Sequence, residues 1–212
     1  NYLFDQVWAA PMGVGWALPS AMGQTVSPDR QVDQLQDDTR LWIVHADGRI
    51  RGYQPDRFTS IAERYLQLGG DKQIEQAELV DIRNDESPVW LVLIRRSDSR
   101  FELRTYPFAG GAAAWSYPLD YSSPYGTAPT FITAQVDGDA QREVIVSHGA
   151  VIDPVLSLQQ WFYPDGFVRF AAGDIDGDGR DELVHTRSYP FVLRALDVDS
   201  GTEKWSKEID DT

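Results

Sequence analysis

Short apolar runs bounded by turn residues recur along the chain, and helical periodicity is weak throughout. Leu41-Trp-Ile-Val44 and Arg49-Ile-Arg-Gly-Tyr53 flank Asp47-Gly48, a strong short signal for a hairpin. Three further pairs of alternating strands are predicted: Val89 to Ile94 with Phe101 to Tyr106, Glu143 to Val146 with Leu158 to Tyr163, and Glu182 to His185 with Val192 to Val198. In Ser60 to Leu68, the positions Ile61, Tyr65 and Leu68 suit a turn or two of helix or a bulged strand, and the strand is the expectation adopted.

Each of the three later pairs follows an acidic loop: Asp81-Ile-Arg-Asn-Asp85, Gln135-Val-Asp-Gly-Asp139 and Asp174-Ile-Asp-Gly-Asp-Gly179. Downstream, a glycine precedes a large aromatic by four positions, as Gly111 and Trp115, Gly166 and Phe170, Gly201 and Trp205. The near-constant distance from loop to aromatic marks a repeat, with residues 41–53 opening a degenerate fourth unit. Units of roughly 40 to 55 residues with about four strands have the dimensions of propeller blades. The expected fold is therefore all-β: a β-propeller or partial propeller of about four to five repeats of short antiparallel strands. Residues 1–40 are read as an N-terminal segment that supplies closing strands or an extra blade, 41–206 as the repeats, and 207–212 as a C-terminal tail or an artificial end. Within the first segment Val7 to Met22 is interrupted by Pro11 and Pro19 and is shorter than the roughly 20 apolar residues of a bilayer span, so it is expected to pack.

Gly173-Asp-Ile-Asp-Gly-Asp-Gly-Arg-Asp-Glu-Leu-Val184 resembles the FG-GAP or VCBS repeats of integrin-type β-propellers, a resemblance that implies calcium in the acidic loop. Leu41 to Tyr53, Gly111 to Trp115 and Ala195-Leu-Asp-Val-Asp-Ser-Gly-Thr-Glu-Lys-Trp205 are similar to the strands and Gly-to-Trp corners of PQQ-like propeller repeats.

A hard divalent cation takes several oxygens gathered on a tight turn. Asp174, Asp176 and Asp178 alternate so that their carboxylates can converge; the Arg180 carbonyl adds an oxygen, and Glu182 falls at the ninth position, where the propeller repeats usually carry Asp. The middle loop has Gln135 at its first position and keeps Asp137, Asp139 and Glu143 as a second candidate set. In the first loop Arg83 takes the second ligand position, a built-in cation able to pair with Asp81 and Asp85, and Val89 takes the ninth, so no metal is expected there. Asp and Gly also form Asx turns without any ion, and the two readings differ in how the repulsion among gathered carboxylates is relieved.

Charge and composition narrow the function classes. With 19 Lys plus Arg against 33 Asp plus Glu, the net charge of −14 repels phosphate backbones and anionic headgroups, so neither nucleic-acid binding nor membrane insertion is expected. The chain has 0 Cys, which excludes disulfides and thiolate chemistry. His45, His148 and His185 occupy different registers and lack metal-ligand spacing. There is no G-x-S-x-G elbow, Walker loop or dinucleotide fingerprint, and Gly13-Val-Gly15 lacks a strand-to-helix setting. No catalytic residue is assigned, and the chain is expected not to be an enzyme.

Of the 7 Trp, 9 Tyr and 9 Phe, most should be core, with Trp115 and Trp205 packed between blades. Tyr117, Tyr121 and Tyr125 lie in a proline-containing stretch suited to ligand binding or to a packed connection. The functional expectation is a non-enzymatic, calcium-stabilised propeller module for recognition or adhesion toward a protein or carbohydrate. Calcium favours an extracytoplasmic setting (secreted, cell-surface or periplasmic), where sites of about 10⁻⁴ to 10⁻³ M are filled. The alternatives are a structural or assembly domain contacting further domains of a longer chain, and a fragment of a quinone-dependent enzyme, the class that the PQQ-like resemblance implies.

Overall fold

In the computed structural model the described residues are 41–54, 59–70, 72–121, 127–188 and 191–208, and they contain strands and turns but no helix. The expectations for residues 1–40, Val7 to Met22 included, and for Tyr125 lie outside them. The described residues fall into two compact units, one drawn from 41–80 with 88–121 and the other from 81–87 with 127–208.

In the first unit β1 (Leu41–Val44), β2 (Arg49–Gln54) and β3 (Thr59–Tyr65) form one sheet, and β4 (Gln73–Val80), β5 (Val89–Arg95), β6 (Phe101–Pro107) and β7 (Trp115–Leu119) form another. In the second unit β8 (Phe131–Ala134), β9 (Glu143–Val146), β10 (Ala150–Asp153) and β11 (Leu158–Phe162) form a third sheet. A fourth holds β12 (Arg169–Gly173), β13 (Glu182–Ser188), β14 (Phe191–Asp197) and β15 (Glu203–Glu208). Every sheet is an antiparallel meander in chain order, the arrangement of a propeller blade.

Apolar sequence runs become strands buried on both faces: Trp90 to Ile94 in β5 and Val144 to Val146 in β9 are wholly inaccessible. In the first unit Trp42 meets Trp90 and Phe108 edge-on at 5.8 and 5.3 Å, and the Arg64 guanidinium lies 4.3 Å from the Phe108 ring centre. In the second, Ile145, Val151, Leu183 and Leu196 make one core with Phe167, and Phe170 and Trp161 pack at its margin.

Three features differ from the sequence expectation. Val146 does not lead directly to Leu158; a further strand, β10, intervenes, entered through Ser147-His148-Gly149. Gly149 has φ +106°, its carbonyl accepts the Tyr163 amide at 2.8 Å, and a Cβ there would stand 1.9 Å from the Tyr163 carbonyl oxygen. The repeat register also shifts in the third sheet. Trp115 begins β7 opposite Thr105, and Trp205 lies in β15 opposite Ala195; their counterpart is Trp161 in β11 opposite Val151. Phe170, the expected counterpart, sits instead on β12. Ser157, with φ +57°, stands four positions before Trp161 where Gly111 and Gly201 precede the other two tryptophans, so this corner lacks the glycine that marks the others.

The expectation that Trp205 is packed is likewise corrected: it is 41% exposed, on a strand exposed along its whole length. Trp115 is half-buried and stacks on Tyr117. Trp161 is the wedge, donating its indole N–H to the Val198 carbonyl and lying over Gly201, whose missing Cβ makes room for the ring.

The bulge expected in Ser60 to Leu68 is present. Opposite the pairs Gly52 with Ala62 and Tyr53 with Ser60, Ile61 is the extra residue of β3. The same two-against-one step recurs in β11, where Gln160 is extra, and in β15, where Lys204 is extra.

Candidate metal centres

The acidic loops of the second unit join equivalent strands: residues 135–142 lead from β8 to β9, and residues 174–181 from β12 to β13. Their internal bonding is alike. Asp137 Oδ1 accepts the Asp139 amide at 3.1 Å, and Asp139 Oδ1 the Gln141 amide at 2.6 Å. Correspondingly, Asp176 Oδ1 accepts the Asp178 amide at 3.3 Å, and Asp178 Oδ1 the Arg180 amide at 2.9 Å. At the ninth position Glu143 Oε2 accepts the Val136 amide at 2.9 Å, and Glu182 Oε2 the Ile175 amide at 2.8 Å. These Asx-type bonds fix the turns and bring acids together.

Carboxylate oxygens of Asp137, Asp139 and Glu143 lie within 4.8 Å of one another, and so do those of Asp174, Asp176 and Glu182. Asp178 stands outside the latter set, and the Arg180 side chain runs to the Asp199 carboxylate at 3.6 Å, over Gly138 of the other loop. The loops are laced to each other: the Gln135 amide donates to Asp181 Oδ2, and the Gln135 carbonyl accepts the Asp181 amide, both at 2.8 Å. Asp174 serves its own turn, accepting the Gly177, Asp178 and Gly179 amides at 2.6, 3.1 and 3.0 Å.

Electrostatically the two sets diverge. Lys204 reaches across from the β15 bulge and places its ammonium 2.8 Å from Asp176 Oδ2 and 2.6 Å from Glu182 Oε1. Those hydrogen bonds raise the Lys204 pKa, and the bond from Lys204 lowers that of Asp176. In the other loop Gln160, on the equivalent bulge, donates its amide to Asp137 Oδ2 at 3.1 Å and brings no charge. Glu143 is 0% exposed, and its Oε1 has no hydrogen-bond partner; nor has the buried Gln160 Oε1. Burial pushes the Glu143 carboxyl up to about 7, with the charges of Asp137, Asp139 and Asp153 adding to it.

In the loop at 81–87 Asp81 accepts the Asp85 and Glu86 amides at 3.3 and 2.8 Å. Arg83 pairs with neither aspartate among the described residues; Asp81 accepts backbone amides, and Asp85 Oδ1 accepts the Ser87 amide at 3.0 Å. No histidine joins a cluster of potential metal ligands among the described residues.

The tyrosines named above do not form one cluster. Tyr117 stacks on Trp115 with ring centres 6.0 Å apart. Tyr121 is half-buried beside Phe101 at 5.9 Å, and with Arg96, Arg100 and Asp120 it borders a cleft of about 380 Å³. The two arginines of that cleft were not singled out from sequence.

No protein-family model and no curated protein matches the sequence. Among solved structures, the Vibrio cholerae biofilm matrix protein Bap1 is similar, with TM-score 0.52 and 20% identity over 80% of this chain and 26% of that one. The WD40 domain of Neurospora crassa Pan2 is similar with TM-score 0.52 and 16% identity over 95% of this chain and 53% of that one. The chain thus spans about a quarter to a half of the structures it matches. WD40 domains are β-propellers, and together with four antiparallel meander sheets this likeness makes the chain an all-β protein with the fold of a partial β-propeller.

Proposed function

We propose that this chain is a non-enzymatic β-propeller module, stabilised by calcium and serving extracytoplasmic recognition or adhesion toward a protein or carbohydrate. The observation that carries the calcium reading is Glu143 Oε1, fully buried without a partner beside two more carboxylates. A buried carboxylate is costly unless a cation or donors compensate it, and a hard divalent ion suits an all-oxygen set on a tight turn. Asp137, Asp139 and Glu143 would hold it. Calcium there supplies neutralising charge and cross-links the loop.

Two observations support the recognition and extracytoplasmic parts of the reading. The cleft beside Tyr121 combines an aromatic wall with the Arg100 guanidinium, groups suited to a sugar or a peptide. Bap1 is a biofilm matrix protein, a setting in keeping with an extracytoplasmic module. Since the chain spans only part of the structures it matches, the further blades are proposed to come from elsewhere in a longer chain. Melting the protein with calcium and with a chelator tests the first half of the reading; an unchanged melting temperature in both would refute it. Screening glycans and proteins against the chain and against its Arg100→Ala, Tyr121→Ala variant tests the second, with binding expected to fall in the variant.

A further inference from the structure

The loop with the fuller acidic motif is the one already carrying a cation of its own. Asp176 and Glu182 each hold an oxygen against the Lys204 ammonium, and the second Glu182 oxygen is taken by the Ile175 amide. Glu182 therefore has both oxygens satisfied. In the sister loop the same amide bond is made, by Val136 to Glu143, but the other carboxylate oxygen is bare. The difference traces to a single position. Lys204 and Gln160 are the extra residues of equivalent bulges, each directly before the outer-strand tryptophan, and each reaches the aspartate at the second ligand position of its loop through that residue's Oδ2.

We propose that the bulge residue decides which loop takes a divalent cation: Lys204 fills the 174–182 carboxylates with its tethered ammonium and excludes calcium, whereas Gln160 leaves the 137–143 carboxylates to it. This rests on the reading of the acidic loops as cation sites. Its physics is simple. A lysine bonded at once to Asp176 and Glu182 neutralises their repulsion without a diffusible ion, and calcium on the same oxygens would have to expel a charge of its own sign. Gln160 has the opposite character: its amide hydrogen serves Asp137, and its bare carbonyl oxygen is a ligand of the kind calcium accepts. The bulge makes this possible, since the additional residue turns one side chain out of the strand alternation.

Calcium titration calorimetry on the full chain, paired with melting in chelator, tests it. The wild type should bind one calcium, lost in Glu143→Gln and in Gln160→Lys. Lys204→Gln should bind two, and in chelator it should melt below the wild type, because Asp176 and Glu182 then face each other without the ammonium. Lys204→Arg keeps the charge and should still bind one, which separates loss of charge from loss of fold. A wild type that binds none, with Lys204→Gln binding one, would end the calcium reading of the 137–143 loop while supporting the role of Lys204. Lys204→Gln with no calcium gained, or wild-type binding abolished by Asp176→Asn and retained in Glu143→Gln, overturns the inference.

Discussion

Glu143 and His185 are buried ionisable groups whose surroundings penalise charge, and each makes stability depend on pH in its own direction. The folded-state pKa of Glu143, about 7, lies above the usual 4.5, so its contribution is fully present below pH 4.5 and is lost as pH rises through about 7. A bound cation holds the carboxylate ionised and reverses this. The rise in melting temperature produced by calcium should accordingly be larger at pH 8 than at pH 5, and Glu143→Gln should remove it at both; an equal rise at both pH values would exclude Glu143 as a ligand.

His185 is buried edge-on against Tyr163 and Phe167, at 5.3 and 5.2 Å, and neither ring nitrogen has a hydrogen-bond partner of good geometry. Burial, with the nearby Arg194 charge, lowers its pKa below 6.5. The folded state then refuses a proton that the unfolded chain accepts, so the contribution of His185 is complete above pH 6.5 and is lost as pH falls below it toward the folded value. Replacing both unpartnered nitrogens with carbon should cost less than about 1.5 kcal/mol. Denaturant titrations of His185→Leu should show a flatter acid limb between pH 6.5 and 5 than the wild type; an unchanged limb would mean that another group governs it.

At the scale of elements, the outer-strand tryptophans are not equivalent in energy although they are equivalent in register. Trp161 is held between β11 and the turn at Val198 to Gly201, while Trp205 stands on an exposed strand. Trp161→Ala should cost about 3 kcal/mol, the low end for large aromatic truncations, and Trp205→Ala less than about 1 kcal/mol. Equal losses in urea unfolding would overturn this ranking. The β9–β10 turn makes an independent test. Gly149→Ala sets a methyl group against the Tyr163 carbonyl and forces a left-handed residue, so the variant should lose at least about 1 kcal/mol, detectable as a lower urea midpoint.

For the whole molecule, a ligand that binds only the native state adds RT ln(1 + [L]/Kd), about 2.7 kcal/mol at a hundredfold excess over Kd. Calorimetric melting should therefore shift upward progressively with the logarithm of calcium concentration, and saturation at no shift would contradict a native-state site. Much of the architecture behind this was legible in the chain. Alternating and continuous apolar runs between Asp, Gly and Pro punctuation predict strands and turns through local sterics and burial periodicity, and Asp47-Gly48 and the bulged Ser60 to Leu68 became a hairpin and a bulged strand. Less legible were β10, whose four residues follow a His-Gly turn, and the third corner, where Ser157 adopts the positive φ associated with glycine.

The candidate site divides in the same way. The sequence alone determined that two loops gather carboxylates, because Asp-x-Asp alternation on a Gly-bearing turn is a local property of the backbone. Only the tertiary structure decided what those carboxylates meet. Gln160 reaches Asp137 from 23 positions away and Lys204 reaches Asp176 from 28, each through a bulge set by pairing with a neighbouring strand. Burial of Glu143 depends likewise on packing around its sheet. Charge compensation acts through space over a few ångströms, so spacing along the chain reveals the acids but not the group that satisfies them.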